Sequence, residues 1–209
     1  MPPMASALGK ELDEAMDLPY IGESIRAAAN IGSVTWKQLH PVRLQLLYEM
    51  AYLRMFVAWE IFLEESFLRY LCGYRTASGS VLLVNRPFRT IAAARSSVLG
   101  GHDFVSWSSP RRVRQRSQSF IRTGYHETVL AAAGARLEAF AAVRNRIAHG
   151  SDYAIQEFDL ATMMLTGQRY RGSCAGLFLR DWNSRAVPAE RWIQTIGTEL
   201  KNLAFQIVP

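Results

Sequence analysis

The sequence predicts an all-α, mainly helical protein, and three observations support this fold class. A run from Pro41 to Cys72 contains no Gly and no internal Pro. Apolar residues recur at helical spacing in several later segments. Hydrophobic residues make up 49% of the 209 residues, which is enough to bury a substantial core. We therefore expect one domain, divided into a helical arm over 1–40, a core bundle over 41–165 and a C-terminal extension over 166–209.

The N-terminal arm is predicted to contain two short helices. A weak helical pattern over Ala5–Met16 is followed by Pro19, which ordinarily interrupts a helix because it lacks an amide hydrogen. A second helix is expected over Gly22–Ala29, with Gly32 well placed for a C-terminal cap. The two helices would then pack as an arm on the larger body.

The run from Pro41 to Cys72 predicts one long helix. Pro41 suits the first helical turn, and Gly73 lies directly after the end. Apolar residues, among them Leu44 and Met50, cover more than one face, which is typical of a helix contacted on several sides. The helix is therefore expected to lie at the centre of the core.

Residues 74–120 are punctuated by Gly and Pro and are predicted to be the least regular part of the chain. A short helix is expected over Arg89–Leu99, while Val81–Val84 suits either a brief strand or an apolar anchor. A further helix is predicted to begin at Ser109 and Pro110, because Ser favours the N-cap and Pro the first helical position. That helix would carry several Arg residues.

The positive charge of the chain is concentrated in this same region. The net charge is +6, and residues 86–122 hold eight Arg and one acidic residue, Asp103, so this segment alone contributes +7. Guanidinium groups match the geometry of phosphate oxygens better than lysine does. The segment therefore suits either a solvated loop or a surface that contacts phosphate groups, those of RNA included.

Helical periodicity returns over Tyr125–His149, and Gly150 is expected to provide a left-handed stop. Asp152–Leu165 predicts another helix that a glycine ends. Turn-forming residues follow over 168–181, where residues 176–180 suit a short strand that would belong to one strand pair. The last helix is expected over Pro188–Ile207. Its inward residues would be Trp192, Ile193, Ile196, Leu200, Leu203 and Ala204.

Several other classes of protein are disfavoured. Cys72 and Cys174 form no CxxC pair and have no His at metal-ligand spacing, so we expect no metal site, no cofactor and at most one disulfide. The N-terminus lacks the pattern of a secretion signal, and no apolar stretch is long enough to span a membrane. A cytoplasmic protein without a membrane partner is therefore expected. Trp107 and Trp182 suit base stacking, although packing in a core or interface is the more common use of such rings.

The end of the predicted helix over 125–149 holds the most compact set of chemically useful groups. Asn145 lies one turn before His149 on the same face, whereas Arg144 lies about 140° around the helix from His149. Two such helices meeting about a two-fold axis would bring two Arg and two His into one cleft. His149 alone also suits a simple helix C-terminus, where the helix dipole favours a cation.

The segment from Arg144 to Gly150 resembles the signature of the HEPN superfamily. In that signature an Arg, often followed by a polar residue, and a His are separated by about four to six residues. The helix containing residues 59–67 is similar to the partner helix of such domains, and the resemblance covers roughly residues 42–165. It implies an up-down helical bundle, usually dimeric, in which the motifs of both subunits form one site. Many members are metal-independent endoribonucleases of toxin–antitoxin or antiviral defence systems, so an antitoxin or a neighbouring defence protein is a further expected partner.

Transferred to this chain, the resemblance implies that Arg144 and His149 are the catalytic pair and that Asn145 supports them. The expected reaction fits the residues, because RNA carries its own nucleophile in the 2′-OH. His149 would move protons near neutral pH, and Arg144 would stabilise negative charge on the phosphorus centre. The residues expected to bind RNA are Arg111, Arg112, Arg114, Arg116, Arg122 and Arg146.

Two questions stay open at the level of the sequence. Glu60 and Glu64 share a helix face, and they either pair with Arg54 or Arg69 at the surface or include one residue that orients Arg144. The chain as a whole is expected to be an endoribonuclease. The alternatives are a non-catalytic HEPN-like module that binds RNA, nucleotides or a protein, and an unrelated helical interaction domain.

Overall fold

The computed structural model describes residues 3–76, 78–168, 170 and 174–209, and over these residues the chain is mainly helical. This confirms the all-α fold class, together with one short antiparallel strand pair. The helices and strands within the described residues are α1 (Pro3–Ala28), α2 (Val34–Gln38), α3 (Pro41–Leu71), α4 (Ile91–Leu99), α5 (Pro110–Phe120), α6 (Tyr125–Ala132), α7 (Gly134–Ala148), α8 (Asp152–Thr166), α9 (Ala175–Arg180), β1 (Trp182–Asn183), β2 (Glu190–Arg191) and α10 (Trp192–Ile207). None of the described helices is both long and apolar enough to cross a membrane.

The Cα positions divide the chain into two compact units. The first unit consists of Met1–Gly9, Ala58–Glu138 and Leu200–Pro209. The second unit consists of Lys10–Val57 and Ala139–Glu199. The division of one domain at residues 40/41 and 165/166, and the HEPN-like bundle arrangement, stay predictions.

An aromatic cluster forms the core of the first unit. The ring centroid of Phe67 on α3 lies 5.5 Å from those of both Trp107 and His126. The buried Tyr70, one turn further along α3, donates a hydrogen bond of 2.6 Å to the backbone oxygen of Ile207. Edge-to-face and tilted ring pairs of this kind fill a core while satisfying the ring quadrupoles. The cluster therefore fixes the start of α6 and the loop before α5 against α3.

The second unit positions α7 through a buried tyrosine. The hydroxyl of Tyr52 on α3 donates a hydrogen bond of 2.9 Å to the backbone oxygen of Phe140 on α7, and both side chains are fully buried. Burial raises the pKa of Tyr52 well above its ordinary value, so the hydroxyl remains a donor. Leaving that hydroxyl without an acceptor would cost about 1–3 kcal/mol. This bond holds the helix that ends in the Arg-x4-His motif.

A charged cluster in the second unit joins α1, α9 and β2. Glu23 lies 2.6 Å from the Nε of Arg180 and 3.8 Å from an Nη of Arg191. Burial raises the pKa of Glu23, but the hydrogen bond and charge of Arg180 and the charge of Arg191 outweigh this effect and lower the pKa overall. The carboxylate therefore stays ionised between its two cationic partners.

The predicted interruption of the first helix at Pro19 is wrong. A single helix, α1, continues through Pro19 to Ala28. A proline within a helix costs about 3 kcal/mol, which tertiary contacts on its C-terminal side can offset. Here Gly22 packs so closely that a Cβ would lie 2.7 Å from a methyl group of Leu47, and Glu23 forms the ion pairs described above. Packing after the proline therefore maintains the helix.

The single helix predicted over 125–149 is also wrong, because α6 and α7 are separate helices. Ala133 stands between them with φ −96° and ψ 5°, and Gly134 begins α7. A glycine inside a helix is about 1 kcal/mol less favourable than alanine, which weakens the chain at this point. Backbone hydrogen bonds of 3.0 Å from Ala133 to Val129 and from Leu137 to Ala133 still span the junction. The interruption is therefore confined to one residue.

The glycine after the motif does not adopt the predicted left-handed conformation. Gly73 and Gly167 have positive φ after α3 and α8, as expected, but Gly150 does not. Instead the hydroxyl of Ser151 caps α8 by accepting a hydrogen bond of 3.3 Å from the amide of Ala154. Only residues 149–151 separate the end of α7 from the start of α8. The cap of the next helix thus replaces the expected glycine stop.

The segment over 176–180 forms helix α9 and not the predicted strand. The amide of Gly176 donates a hydrogen bond of 3.0 Å to Glu49, and its Cα packs against the backbone oxygen of Gln45, where a Cβ would not fit. Phe178 and Leu179 are adjacent and both buried, which suits a helix and contradicts the alternation of a strand. The expected turns over residues 171–173 lie outside the described residues.

Most remaining elements agree with the sequence. α3, α4 and α8 begin and end within two residues of their predicted limits, and α5 begins at Pro110 after the expected Ser109 cap. Val84 forms an isolated bridge with Ile121, so the segment around Val84 is little more than an anchor. α10 begins at Trp192 because the residues before it pair with β1. All six of its expected inward residues are buried.

Candidate functional site

The motif residues lie at the C-terminal end of α7, in the second unit. The buried side chains of Phe140 and Val143 hold this end of the helix. Arg144 is half-buried one residue later, and His149 is exposed just beyond the last helical residue. The amide of His149 donates a hydrogen bond of 2.8 Å to the backbone oxygen of Asn145, so helical bonding extends to the histidine. The histidine thus has a fixed backbone and an open side chain.

Two hydrogen bonds connect residues of the motif. The Nη1 of Arg144 donates to the Oδ1 of Asn145 at 3.3 Å, and the Nη1 of Arg146 donates to the backbone oxygen of His149 at 3.5 Å. Neither of these two bonds joins Arg144 to His149. Asn145 therefore contacts the arginine that it was expected to support. Arg146 lies at a helix C-terminus, where its charge stabilises the helix.

Glu60 and Glu64 lie on α3 in the first unit, whereas the motif lies in the second unit. Glu64 forms an ion pair of 3.3 Å with Arg95 on α4, and Glu60 is half-buried. The pairing of Glu64 at the surface is thus observed, but with a different arginine from those expected. Arg54 and Arg69 pair instead with Glu14 and Glu65, each at 3.7 Å. A role for either Glu60 or Glu64 in orienting Arg144 stays a prediction.

The basic residues expected to bind RNA separate into two groups by exposure. Arg111 and Arg112 on α5, and Arg122 just after it, are exposed and belong to the first unit. Arg114 and Arg116 are half-buried on the same helix. Exposed guanidinium groups are available for phosphate contacts, whereas half-buried ones already have protein neighbours. The exposed group is therefore the candidate RNA surface of this unit.

Arg116 has a structural role that the sequence did not predict. Its guanidinium lies 4.4 Å from the ring centroid of Trp107 and donates to the backbone oxygen of Ser106 at 3.4 Å. Burial lowers the pKa of Arg116, Arg112 lowers it further, and Glu64 opposes both. Trp107 is 3% exposed, which confirms packing as its use. Arg116 thus covers a core tryptophan.

A polar cavity in the second unit was not predicted. Its volume is about 410 Å³, and it lies between the end of α8, the turn after β1 and the start of α10. Trp182 lines it and is 61% exposed, so this ring does not pack in a core, while packing in an interface stays a prediction. The cavity is formed by residues with no periodic pattern, so the only signal in the sequence was Trp182 itself.

The cysteines and acidic residues show no metal centre in the part of the chain that is described. No group of three or more His, Cys, Asp or Glu residues there is arranged to hold a metal ion. Cys72 and Cys174 are free thiols. Burial raises the pKa of both thiols, so they are mainly protonated at neutral pH.

Comparison with known proteins identifies no family for this chain. No protein-family model matches the chain. No curated protein and no solved structure matches it either, so the HEPN resemblance stays an expectation drawn from the residues of the motif.

Proposed function

We propose that this protein is a metal-independent endoribonuclease of the HEPN type, with a site composed of Arg144 and His149 from two copies of the chain. One observation carries the proposal. The motif lies at the open end of an ordered helix, where Asn145 holds the arginine and the histidine faces solvent. A site of this kind needs only a proton carrier and a fixed cation to cleave RNA.

The proposed reaction uses the 2′-OH of the substrate as the nucleophile. His149 accepts the proton of the 2′-OH while the oxygen attacks the adjacent phosphorus, and the bond from phosphorus to the 5′-oxygen breaks. The leaving oxygen takes a proton from solvent water, and His149 then returns its own proton to the solvent. Arg144 stabilises the charge on the non-bridging oxygens as it develops. The products are a 2′,3′-cyclic phosphate and a 5′-OH.

The geometry of α7 and the surface of α8 support the homodimer. Arg144 and His149 lie about 140° apart around one helix, which favours partners from two chains at each reaction centre. α8 begins three residues after His149, and its exposed apolar residues lie within about 100° of one another around the helix. These residues are Tyr153, Leu160, Met163 and Met164. A second copy covering this face would place a second motif nearby.

The basic surface defined by Arg111, Arg112 and Arg122 supports RNA as the substrate. Three exposed guanidinium groups on or next to one helix give a local positive potential that attracts the RNA backbone. We further propose that the nuclease acts in the cytoplasm, in a toxin–antitoxin or antiviral defence context, where an antitoxin or a neighbouring defence protein restrains or triggers it. This context depends on the resemblance alone.

The test is cleavage of end-labelled total RNA and tRNA in the presence of EDTA. We expect the wild-type protein to cut and to leave cyclic phosphate ends. Arg144→Ala and His149→Ala should each reduce the rate by at least about 100-fold. The matched controls are Arg54→Ala and His102→Ala, which alter an exposed arginine and an exposed histidine outside the motif.

Two results would count against this proposal. Cleavage that survives in both motif variants would assign the activity to other residues. Binding of RNA by a well-folded wild-type protein that cuts none of these RNAs would favour a non-catalytic binding module instead. In that case the affinity should still fall steeply with salt.

A further inference from the structure

We propose that the cavity in the second unit binds a nucleotide, with its base stacked on Trp182 and its phosphate on Arg185. The cavity shares no lining residue with the Arg-x4-His motif, so this binding goes beyond the proposed ribonuclease reaction. The volume of about 410 Å³ lies within the range of small-molecule sites, about 300–1,000 Å³. Polar and aromatic side chains dominate its walls, which favours a planar ligand with polar edges.

Trp182 presents an open aromatic face on a fixed backbone. Its strand partner is Arg191, whose guanidinium lies 5.1 Å from the centroid of the ring and covers part of it. Much of the residue is nonetheless uncovered, since Trp182 is 61% exposed. The carbonyl of the preceding Asp181 accepts a hydrogen bond of 3.0 Å from the amide of Trp192, which fixes the strand. A rigid indole with a free face is a platform on which any nucleobase can stack.

Arg191 is itself held in place, which makes the platform stiff. Its Nη2 lies 3.8 Å from Glu23, and its guanidinium lies 5.7 Å from the ring centroid of Tyr48. It also donates to the backbone oxygen of Arg180. A cation that is fixed on three sides has little freedom to leave the indole. The indole face on the side of Arg191 is thus occupied, and a ligand would use the other face.

Arg185 supplies a cation at the edge of the cavity. Its amide donates a hydrogen bond of 3.1 Å to the Oδ1 of Asn183, and the Nδ2 of the buried Asn183 donates to Thr195 on α10 at 3.1 Å. The guanidinium lies over Gly167, where any Cβ would collide with it. It therefore meets the C-terminal end of α8, whose partial negative charge favours a cation. Arg185 is nonetheless exposed, so its outer N–H groups can reach a phosphate.

Asp181 gives the cavity an acceptor for hydroxyl groups. Its Oδ2 accepts a hydrogen bond of 2.6 Å from the hydroxyl of Tyr170. Burial, the hydrogen bond to Asp181 and the charge of Asp181 all raise the pKa of Tyr170, so this hydroxyl remains a donor. A carboxylate beside a nucleotide site commonly accepts the hydroxyl protons of a ribose. An aromatic face, a hydroxyl acceptor and a cation together match a base, a ribose and a phosphate.

The test is calorimetric titration of the full chain with adenosine 5′-monophosphate, repeated with the guanosine, cytidine and uridine monophosphates. We expect binding that Trp182→Ala and Arg185→Gln each weaken by at least about tenfold. Adenosine should bind more weakly than its monophosphate, and Arg185→Gln should leave adenosine binding unchanged. Arg54→Gln is the matched control, because it removes an exposed guanidinium elsewhere in the same unit.

A second measurement separates a lost site from a misfolded variant. In a ¹⁵N-labelled sample of the wild-type protein, the indole N–H signal assigned to Trp182 should move on addition of the monophosphate. Trp192 also lines the cavity, so its signal can move as well. The signals of Trp36, Trp59 and Trp107 should stay in place. Failure of all four monophosphates to bind at about 10 mM, or unchanged affinity in both variants, would overturn the proposal.

Two further titrations identify the source of the nucleotide and distinguish nucleotide binding at the cavity from RNA cleavage at the motif. In the His149→Ala background, where cleavage is suppressed, hexaadenylate that binds more than tenfold tighter than the monophosphate, with the gain lost on adding Trp182→Ala, would assign the site to an unpaired residue of RNA. Equal affinities would assign it to a free nucleotide. The His149→Ala protein should bind the monophosphate as the wild type does. Loss of binding in that variant would place the nucleotide at the motif and contradict the inference, whatever the outcome of the cleavage assay.

Discussion

At the scale of single residues, we expect Asn145 to be a positioning residue in the proposed reaction. Its Oδ1 accepts a hydrogen bond from Arg144, so Asn145→Ala frees the guanidinium to rotate away from the substrate. We expect kcat to fall by about tenfold with little change in KM, because the loss affects the transition state more than substrate binding. Asn145→Asp keeps an acceptor oxygen at the same place and should recover part of the rate. Equal losses in both variants would argue against this hydrogen bond as the cause.

His126 makes the stability of the first unit depend on pH. Its Nε2 lies 2.9 Å from the hydroxyl of Ser66, which donates to the backbone oxygen of Leu63 and so accepts from the histidine. Burial lowers the pKa of His126 to about 3. The folded protein therefore excludes a proton that the unfolded chain binds below about pH 6.5. The free energy of unfolding should fall as the pH drops from about 6.5 towards 3.

Urea unfolding at pH 7 and pH 5 measures this dependence. The contribution of His126 should decrease by about 2 kcal/mol between the two values. His126→Gln removes the titrating group and retains a side chain that can form a hydrogen bond with Ser66. The free energy of unfolding of this variant should therefore decrease by about 2 kcal/mol less between pH 7 and pH 5 than that of the wild type. The same acid dependence in both proteins would show that other groups cause it.

At the scale of elements, α5 is expected to combine an RNA surface with a structural face. Removing two phosphate contacts with the double substitution Arg111→Gln and Arg112→Gln should weaken RNA binding and reduce the slope of log K against log salt by about 1.4–1.8. The thermal stability should hardly change, because both side chains are exposed. Binding measured by fluorescence anisotropy at several salt concentrations tests this. An unchanged slope would exclude α5 from the interface.

The matched substitution on the same helix is Arg116→Gln. This change removes the cation above Trp107 and the bond to Ser106, so the main expected result is a lower melting temperature. The three arginines thus allow charge in the RNA surface to be separated from charge in the core. If Arg116→Gln changed the salt slope and left the melting temperature unaltered, the division of α5 into two faces would be wrong.

Two glycines on helices should respond to alanine in opposite ways. Gly176→Ala places a Cβ against the backbone of Gln45 and should destabilise the protein by about 1–3 kcal/mol. Gly134→Ala meets nothing within 4 Å and removes the weak point between α6 and α7, so it should stabilise by up to about 1 kcal/mol. Chemical denaturation of both variants measures the difference. A stable Gly176→Ala protein would contradict the close approach of α9 and α3.

The elements that could be predicted are those that local chemistry decides. α3 is free of Gly and internal Pro, and α5 and α8 carry serine caps before their first residues. α1 could not be predicted, because contacts of Gly22 and Glu23 with distant residues maintain it beyond Pro19. Packing against a backbone oxygen likewise decides α9. Local patterns do not contain such contacts.

At the scale of the whole molecule, the proposed composite site can be tested by mixing two inactive variants. Arg144→Ala and His149→Ala proteins that are unfolded and refolded together should give about half heterodimers. A centre that takes its arginine from one chain and its histidine from the other is complete in each heterodimer. We therefore expect part of the RNase activity to return in the mixture. No recovery, despite heterodimers seen by native mass spectrometry, would show that each centre takes both residues from one chain.

The motif could be predicted from the sequence, whereas the cavity could not, because only folding brings the residues of the cavity together. Arg144, Asn145 and His149 are close in sequence, so one helix end fixes their spacing. The cavity beside Trp182 instead combines the end of α8, a turn and the start of α10, which only the fold brings together. The roles of Glu60 and Glu64 likewise depend on neighbours that no spacing specifies.

The three-residue link between α7 and α8 has a consequence for how activity would depend on the amount of protein. His149 and the exposed apolar face that begins at Tyr153 are too close in the chain to move independently. Dimerisation and RNase activity would therefore arise in the same step. Below the dissociation constant of the dimer, the cleavage rate would rise with the square of the protein concentration. A cell could hold such a nuclease silent by keeping it scarce, and a modest rise in expression would be enough to release it.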